Sequence, residues 1–205
     1  MINPVADSYN KIYSKDSAAY GTDPLPSVML LAEHLKTGSI LEIGAGTGRN
    51  SIYLASAGFH VTATDISSRG IEIITENAAR AHVPIQTQLL DIGLHEPDGF
   101  YDGVLCTFVL QHLSTTHALE AITRIQAHTH VGGYNLICAF TQDGDFFRAN
   151  PATDNFYLDN KKQLEQIYHG WNVIRLFERN GKARATNSDG SPQFNVFAGI
   201  LAQKK

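Results

Sequence analysis

Cysteine is scarce in this chain of 205 residues, which contains only Cys106 and Cys138. Neither belongs to a C-x-x-C pair, the spacing on which many zinc sites and thiol redox motifs depend. Both lie in or beside apolar runs, which predicts two buried, unpaired thiols in a reducing compartment. Zinc and redox motifs are therefore disfavoured, and no metal site is predicted, since His128 and His130 are isolated from other ligand side chains.

The chain also lacks a basic excess and a long hydrophobic run. Its net charge of −4 argues against a general nucleic-acid surface, which requires clustered positive charge. No stretch reaches the roughly 18 consecutive apolar residues of a membrane span. The polar start, MINPVADSYNKIYSKDS, has no apolar core of a secretory signal. We therefore expect a cytoplasmic protein, monomeric or homodimeric, without nucleic-acid or membrane partners.

Short β-branched runs alternate with longer amphipathic stretches through the first two thirds of the sequence. Strands are predicted at 39–46, 59–65, 84–91, 100–110 and 132–140, and helices at 27–35, 48–58, 66–82 and 114–129. Strands that alternate with helices form parallel sheets through right-handed crossovers, so the pattern predicts an α/β fold. With 43% hydrophobic residues, we expect a single domain over residues 1–205.

The two ends of the chain depart from this alternation. Residues 1–26 show no clear strand or helix, and the N-terminal segment 1–37 either closes over a site as a lid or packs on the sheet. The stretch 141–157 is polar and predicts a long loop, which a short helix at 158–170 follows. The remaining residues hold two apolar runs around turn residues, which predicts a hairpin with an antiparallel strand at the sheet edge.

A glycine-rich turn joins the first predicted strand to the next helix. Gly44, Gly46 and Gly48 alternate, and glycines at such a place let a ligand contact bare backbone at a helix N-terminus. Dinucleotide sites use G-x-G-x-x-G, whose third glycine lets the helix pack closely. Arg49 stands there instead, which disfavours a nicotinamide-dependent oxidoreductase and favours S-adenosylmethionine. Asp65 ends the second strand, where its carboxylate can accept both hydroxyls of a ribose.

This stretch resembles the class I S-adenosylmethionine-dependent methyltransferases. The resemblance implies a Rossmann-like, seven-stranded, mostly parallel sheet with an antiparallel last strand. It also implies that Glu42 is the acid before the glycines, that Asp91 contacts the adenine amino group, and that residues 107–109 line the methionine side. The cofactor site predicted from these motifs comprises Tyr13, Tyr20, Glu42, Gly44, Ala45, Gly46, Gly48, Arg49, Asn50, Asp65, Ile66, Ser67, Asp91, Ile92, Thr107, Phe108 and Val109.

Four segments narrow the resemblance to the tellurite-resistance (TehB-type) methyltransferases: GRNSIYLASAGFHVTATD, GGYNLICA, LEQIYHGWNVI and FAGILAQKK. The triplet Arg49-Asn50-Ser51 is typical of this and neighbouring small-molecule methyltransferases. Where that family carries a His-Arg pair in its closing hairpin, this chain has Arg184 and Ala185. The histidine is therefore missing, and Arg184 is left to steer an oxyanion.

The resemblance implies methyl transfer to a small-molecule acceptor. A soft nucleophile such as a thiol, selenite or a tellurite-like oxyanion needs no strong base, whereas a hydroxyl or amine needs a proton acceptor. His112 is the candidate base, although a structural role at a helix start fits it equally, and Arg148 and Arg184 complete the predicted catalytic residues. An O- or N-methyltransferase and a catalytically silent S-adenosylmethionine-binding module remain open. Four aromatic residues are predicted either to exclude water and hold the sulfonium by cation–π contact or to pack: Tyr13, Tyr20, Phe146 and Phe147.

Overall fold

The computed structural model describes residues 3–149, 153–186 and 189–205, and for 183–185 only the backbone. These residues form a seven-stranded sheet of β1 (Ser39–Ile43), β2 (His60–Asp65), β3 (Ile85–Leu89), β4 (Tyr101–Thr107), β5 (Thr129–Phe140), β6 (Asn172–Thr186) and β7 (Pro192–Gln203). The helices are α1 (Pro4–Lys15), α2 (Pro26–Leu35), α3 (Arg49–Ser56), α4 (Ser68–Ala81), α5 (Thr115–Ala127), α6 (Asp145–Ala149) and α7 (Lys161–Ile167).

The strand order is β3-β2-β1-β4-β5-β7-β6, and the first five strands of the chain are parallel to one another. β7 runs antiparallel to both of its neighbours, so the predicted α/β fold with an antiparallel last strand is confirmed. The predicted place of that strand at the sheet edge is wrong, because β7 lies between β5 and β6. Its centre, residues 198–202, is buried at every position, and the buried backbone N–H and C=O groups of such a strand find their partners in a strand on each side.

Helices cover both faces of the sheet. On one face, α5 and α7 bury Ile122, Ile125 and Leu164. On the other, α2 and α3 bury Leu31 and Leu54. Each cluster consists mainly of aliphatic side chains that are almost fully removed from water, a burial worth about 1.5–3 kcal/mol for each large side chain. The two layers hold the carboxyl ends of the parallel strands at a common edge.

The N-terminal residues contain a helix that sequence reasoning missed. α1 begins at Pro4, and the side chain of Asn3 caps it by accepting the N–H of Val5 at 2.9 Å. The expectation that 1–26 has no clear helix is therefore wrong. An asparagine directly before a proline is a known helix-start signal, because asparagine caps the first turn and proline tolerates its first position.

The polar stretch 141–157 is also less irregular than predicted, since it contains the short helix α6. The single domain over residues 1–205 stays a prediction. Across the part of the chain described, no helix combines the length and the apolar character that crossing a bilayer demands.

Candidate active site

A cavity of about 490 Å³ opens at the carboxyl ends of the parallel strands. It lies where β1 is flanked by β2 on one side and β4 on the other, the crevice at which open α/β sheets bind ligands. The volume falls within the roughly 300–1,000 Å³ of small-molecule sites. Most predicted cofactor residues line it: Tyr13, Tyr20, Glu42, Gly44, Ala45, Gly46, Arg49, Asn50, Asp65, Ile66, Asp91, Ile92, Thr107, Phe108 and Val109.

Gly48 and Ser67, the other two predicted cofactor residues, do not line the cavity. Gly48 is the N-cap of α3, and a side chain there would press on Ile74. The Ser67 hydroxyl caps α4 by accepting the N–H of Gly70 at 3.0 Å. Both residues therefore shape the two helix starts behind the lining.

The glycine turn leaves little room for side chains at its two cavity-facing positions. Gly44 has a φ of +68° and Gly46 a φ of +63°, the left-handed region that favours glycine. A Cβ on Gly44 would collide with Val109 Cγ2, and one on Gly46 would lie 3.0 Å from the Tyr13 hydroxyl. Bare backbone consequently forms this wall of the cavity.

The Asp65 carboxylate holds the glycine turn and also faces the cavity. Its two oxygens accept the N–H of Gly46 at 2.7 Å and of Ser67 at 2.8 Å. Burial raises the pKa of Asp65 to about 6, although the backbone N–H bonds oppose that shift. A carboxylate offers about four lone-pair sites, so Asp65 keeps acceptor capacity for a ligand hydroxyl beyond the backbone N–H groups that it already binds. The site therefore fits the ribose of a nucleoside.

Glu42 lies at the back of the cavity, and two side chains of α3 donate hydrogen bonds to its carboxylate. Asn50 Nδ2 donates to one carboxylate oxygen at 2.8 Å, and the Ser51 hydroxyl donates to the other. The side chain is 1% exposed, and burial raises the pKa of Glu42 to about 7. These bonds tie the start of α3 to β1 and so fix the glycine turn between them.

The buried Glu42 makes the stability of the protein depend on pH. Because its pKa is higher in the folded than in the unfolded chain, the folded state binds more protons between about pH 4.5 and 7. The free energy of unfolding therefore falls as pH rises through that window. Replacing Glu42 with glutamine should abolish this component, which amounts to at most about 3 kcal/mol.

Urea unfolding of the parent and of Glu42→Gln at pH 5 and pH 7.5 measures the component. Comparing the two proteins cancels the opposite contribution of His112, whose pKa is lowered to about 4 by burial. It also cancels the contribution of Asp65, whose raised pKa acts in the same direction as that of Glu42. A difference between variant and parent that is the same at both pH values would contradict the prediction.

Helix α1 and its cap residue Asn3 lie across the cavity and contact three of the predicted site residues. Asn3 Nδ2 donates to Asp91 Oδ2 at 3.0 Å, and the Ser67 hydroxyl donates to Asn10 Oδ1 at 2.6 Å. The third contact joins the Tyr9 hydroxyl of α1 to His112. The N-terminal segment therefore covers the adenine end of the predicted site, as a lid would, and its opening and closing stay a prediction.

His112 sits in a 3-10 turn (Leu110–His112) directly after β4. Its Nε2 lies 2.8 Å from the Tyr9 hydroxyl and 3.2 Å from Gln111 Nε2. Burial raises the pKa of Tyr9 far above neutrality, so the tyrosine is a hydroxyl that donates. The lowered pKa of His112 keeps the imidazole neutral, and Nε2 accepts from Tyr9. For His112 to act as a base, this bond must first be released.

Of the other two predicted catalytic residues, Arg148 lies outside the cavity lining, and the side chain of Arg184 is not among those described. Arg148 lies on α6, where its guanidinium donates to the Asp143 carbonyl oxygen at 2.6 Å and reaches Asp145 at 3.3 Å. It does not belong to the cavity lining. Arg184 belongs to β6, and its side chain lies outside the described residues. Phe147 also lies off the cavity and packs on Tyr157.

Several lining residues were missed by the sequence reasoning: Asn3, Val5, Tyr9, Gln111, Phe140, Gln193, Asn195 and Phe197. Tyr9 had a signal, since it stands one helical turn before Tyr13 and so shares its face of α1. Asn195 had none, because only the register of the β6–β7 hairpin brings it to the cavity. In the described chain, no group of three or more His, Cys, Asp or Glu side chains could hold a metal ion.

Comparison with known proteins identifies relatives of this chain. The sequence profile of the tellurite resistance protein TehB matches residues 10–201. A probable S-adenosyl-L-methionine-dependent methyltransferase TehB from Haemophilus influenzae is 32% identical over 166 residues, which cover 81% of this chain and 57% of that protein. The chain thus spans about half the length of the curated relatives it matches.

Solved structures share the fold. The crystal structure of TehB from Haemophilus influenzae superposes with a TM-score of 0.80 at 29% identity, covering 96% of this chain and 67% of that one. The N-methyltransferase NodS from Bradyrhizobium japonicum, in complex with S-adenosyl-L-homocysteine, gives a TM-score of 0.69 at 16% identity and covers 98% of this chain and 99% of its own. With the profile match over nearly its whole length, the chain belongs to the family of the tellurite resistance protein TehB.

Proposed function

We propose that this chain is an S-adenosylmethionine-dependent methyltransferase whose acceptor is a small molecule with a soft nucleophile. A thiol and a selenite- or tellurite-like oxyanion both belong to this class. The observation that carries the proposal is the meeting of the glycine turn with Asp65 at the wall of one cavity. The name of the Haemophilus relative, a probable methyltransferase dependent on the same cofactor, supports it.

The residues of the cavity fit that cofactor. Asp65 would accept the ribose hydroxyls, Asp91 would accept the adenine amino group, and the backbone of 44–46 would lie against the adenosyl group. Residues 107–109 would line the methionine side. When bound, S-adenosylmethionine supplies a methyl group on a positively charged sulfur, which is electrophilic without further activation.

The protein's own contribution is therefore to position two reactants and to exclude water. Orientation alone supplies roughly 7–11 kcal/mol in favourable reactions. The tyrosines 9, 13 and 20 form a packed cluster with ring centroids 5.6–6.3 Å apart. Tyr9 and Tyr13 belong to α1, and the cluster covers one side of the cavity, which reduces the access of water to it and strengthens charge interactions there.

The state of His112 favours an acceptor that is already ionised. Its Nε2 is engaged by Tyr9, and its lowered pKa makes it a weak base. A thiolate or an oxyanion needs no proton removed during transfer. The site is therefore less suited to neutral hydroxyl and amine acceptors, which need a base to remove a proton.

Calorimetry and mass spectrometry test the proposed function. We expect S-adenosylhomocysteine to bind and NAD not to bind, because Arg49 stands where a dinucleotide site has its third glycine. Mass spectrometry of reactions with thiols, selenite and tellurite should detect a methylated product. Binding without methylation of any acceptor would instead identify a silent cofactor-binding module, and NAD binding would reject the proposal.

Asn195 provides a prediction about the charge of the acceptor. It is 7% exposed, its Oδ1 accepts the N–H of Phe146 at 2.8 Å, and its Nδ2 has no partner among the described residues. Asn195→Asp keeps the acceptor for Phe146 and replaces the N–H donors with a negative charge. We expect kcat/KM for an anionic acceptor to fall about 10–100-fold, since a buried charged hydrogen bond is worth roughly 1.5–3 kcal/mol.

The affinity for S-adenosylhomocysteine should stay the same in Asn195→Asp. Asn180→Asp makes the same change at an exposed position of β6 outside the cavity lining and serves as the control. Equal losses in both variants would mean that Asn195 does not face the acceptor.

A further inference from the structure

The side of the cavity formed by the residues that follow β4 and by β5, α6 and β7, across β1 from Asp65, is aromatic. Phe108, Phe140, Phe146 and Phe197 line it and contact one another, with centroid distances of 5.3 Å for 108–140, 5.1 Å for 108–197 and 5.6 Å for 140–146. We call these four residues the phenylalanine cluster. All four are only half-buried, so part of each side chain stays open in the free protein.

The cluster and the acidic residues occupy different parts of the strand edge. The acids that line the cavity belong to β1, to the end of β2 and to the loop after β3, whereas the cluster comes from the residue after β4 and from β5, α6 and β7. In the sheet these two groups of strands lie on opposite sides of the boundary between β1 and β4. Phe108 adjoins Thr107, which is predicted to line the methionine side. The cluster therefore lies where an acceptor would meet the methyl group.

Among the described residues, few charged side chains line this side of the cavity. Lys182 is the described lysine that lines the cavity. It pairs with Phe194 across the β6–β7 hairpin, while Gly181 pairs with Asn195. Side chains of neighbouring residues on a strand leave opposite faces, so the Lys182 and Asn195 side chains diverge. Phe194 is 51% exposed and Lys182 is exposed as well, so the charge of Lys182 is solvated where it borders the cavity.

An apolar wall suits an apolar acceptor. Moving a small hydrated oxyanion against phenylalanine rings removes water without replacing its hydrogen bonds, which is unfavourable. An aromatic ring instead covers the open ring surface in stacked or edge-to-face contact, and sulfur makes favourable contacts with aromatic edges. The Asn195 amide supplies N–H donors beside this wall.

Resting on the methyltransferase function proposed above, we propose that the acceptor is an organic thiol with an aromatic body, which the phenylalanine cluster binds. The thiol loses its proton to solvent and binds as the thiolate. Its sulfur then forms a bond to the methyl carbon while the bond from that carbon to the sulfonium sulfur breaks. S-Adenosylhomocysteine keeps that electron pair, and the acceptor leaves as a neutral methyl thioether.

The test compares phenylmethanethiol with 2-mercaptoethanol, a thiol of similar acidity without a ring, and with selenite and tellurite. We expect kcat/KM for phenylmethanethiol to exceed that of each other acceptor at least tenfold. Phe146→Ala and Phe197→Leu should lower it at least tenfold. Phe194→Ala, a phenylalanine of the same hairpin outside the cavity lining, should leave it unchanged.

Binding provides a second readout that does not require turnover. Titration of benzyl methyl sulfide, the product, into the complex with S-adenosylhomocysteine should show saturable binding that Phe146→Ala weakens at least tenfold. Absent product binding despite tight S-adenosylhomocysteine binding would overturn the proposal, and so would a preference for selenite or tellurite. The proposal is also overturned if the variants weaken the binding of S-adenosylmethionine but not that of S-adenosylhomocysteine, since the cluster would then bind the sulfonium. Failure of the methyltransferase function shows separately, as loss of S-adenosylhomocysteine binding or of all methylation while the sulfide still binds.

Discussion

Asp65→Ala is expected to weaken the binding of S-adenosylhomocysteine by about 1–3 kcal/mol, because the buried carboxylate supplies charged hydrogen bonds to the ribose hydroxyls. The loss has a second component in this structure. Asp65 accepts the N–H of Gly46, so its removal also frees the glycine turn that forms the cavity wall. Calorimetry of parent and variant measures the change directly.

The binding should also depend on pH in the parent. Ribose hydroxyls donate to the ionised carboxylate, so binding favours the form that has lost its proton. With the pKa of Asp65 raised to about 6, affinity should fall as pH drops below about 6. Asp65→Ala should lose this dependence.

Asp102→Ala is the matched control for Asp65→Ala. Asp102 lies on β4, outside the cavity lining, and its carboxylate accepts both the N–H of Ser39 at 2.8 Å and the Ser39 hydroxyl at 2.9 Å. Both variants should unfold more readily than the parent, and only Asp65→Ala should bind the ligand more weakly. An unchanged affinity in Asp65→Ala would show that the ribose lies elsewhere.

The sheet could be predicted from the sequence because each parallel strand carries its own local pattern. The run SILEI before the glycines and the run YDGVLCT after a turn are apolar enough to be identified as buried strands. The position of β7 could not be predicted in this way. The hairpin strand that pairs with β5 lies inside the sheet, and the other strand lies at its edge. The pairing of β7 with β5 joins segments that are distant in the sequence, so no local pattern predicts it.

The residues of the site likewise divide into those that a local motif predicts and those that only long-range contacts bring together. The glycine turn, Asp65 and Asp91 follow strands directly, so a local motif is sufficient to find them. The contacts that close the cavity are long-range: Asn3 reaches Asp91 across 88 positions, and Tyr9 reaches His112 across 103. The phenylalanine cluster draws on four separate elements. No spacing rule connects such residues, and only the folded chain brings them together.

Gly44→Ala is expected to destabilise the protein by about 2–5 kcal/mol. Part of the loss is backbone strain, since an alanine at a φ of +68° costs roughly 1–2 kcal/mol. The remainder, about 1–3 kcal/mol, comes from overpacking, because the new methyl group collides with Val109 Cγ2. The methyl group can be accommodated only if Val109 or the turn moves, and either movement disturbs the cavity wall. Binding of S-adenosylhomocysteine should therefore be lost as well.

Gly58→Ala separates the two parts of this effect. Gly58 has a φ of +93°, and a Cβ there meets nothing within 4 Å, so its replacement should cost the strain alone. Urea unfolding gives the loss of unfolding free energy in each variant, and the difference between the two losses is the cost of the collision. Combining Gly44→Ala with Val109→Ala removes the colliding group, and the double variant should recover about 0.5–3 kcal/mol relative to the sum of the single changes. Simple additivity would mean that the turn has moved away from Val109, and that tight packing at Gly44 is not what shapes the cavity wall.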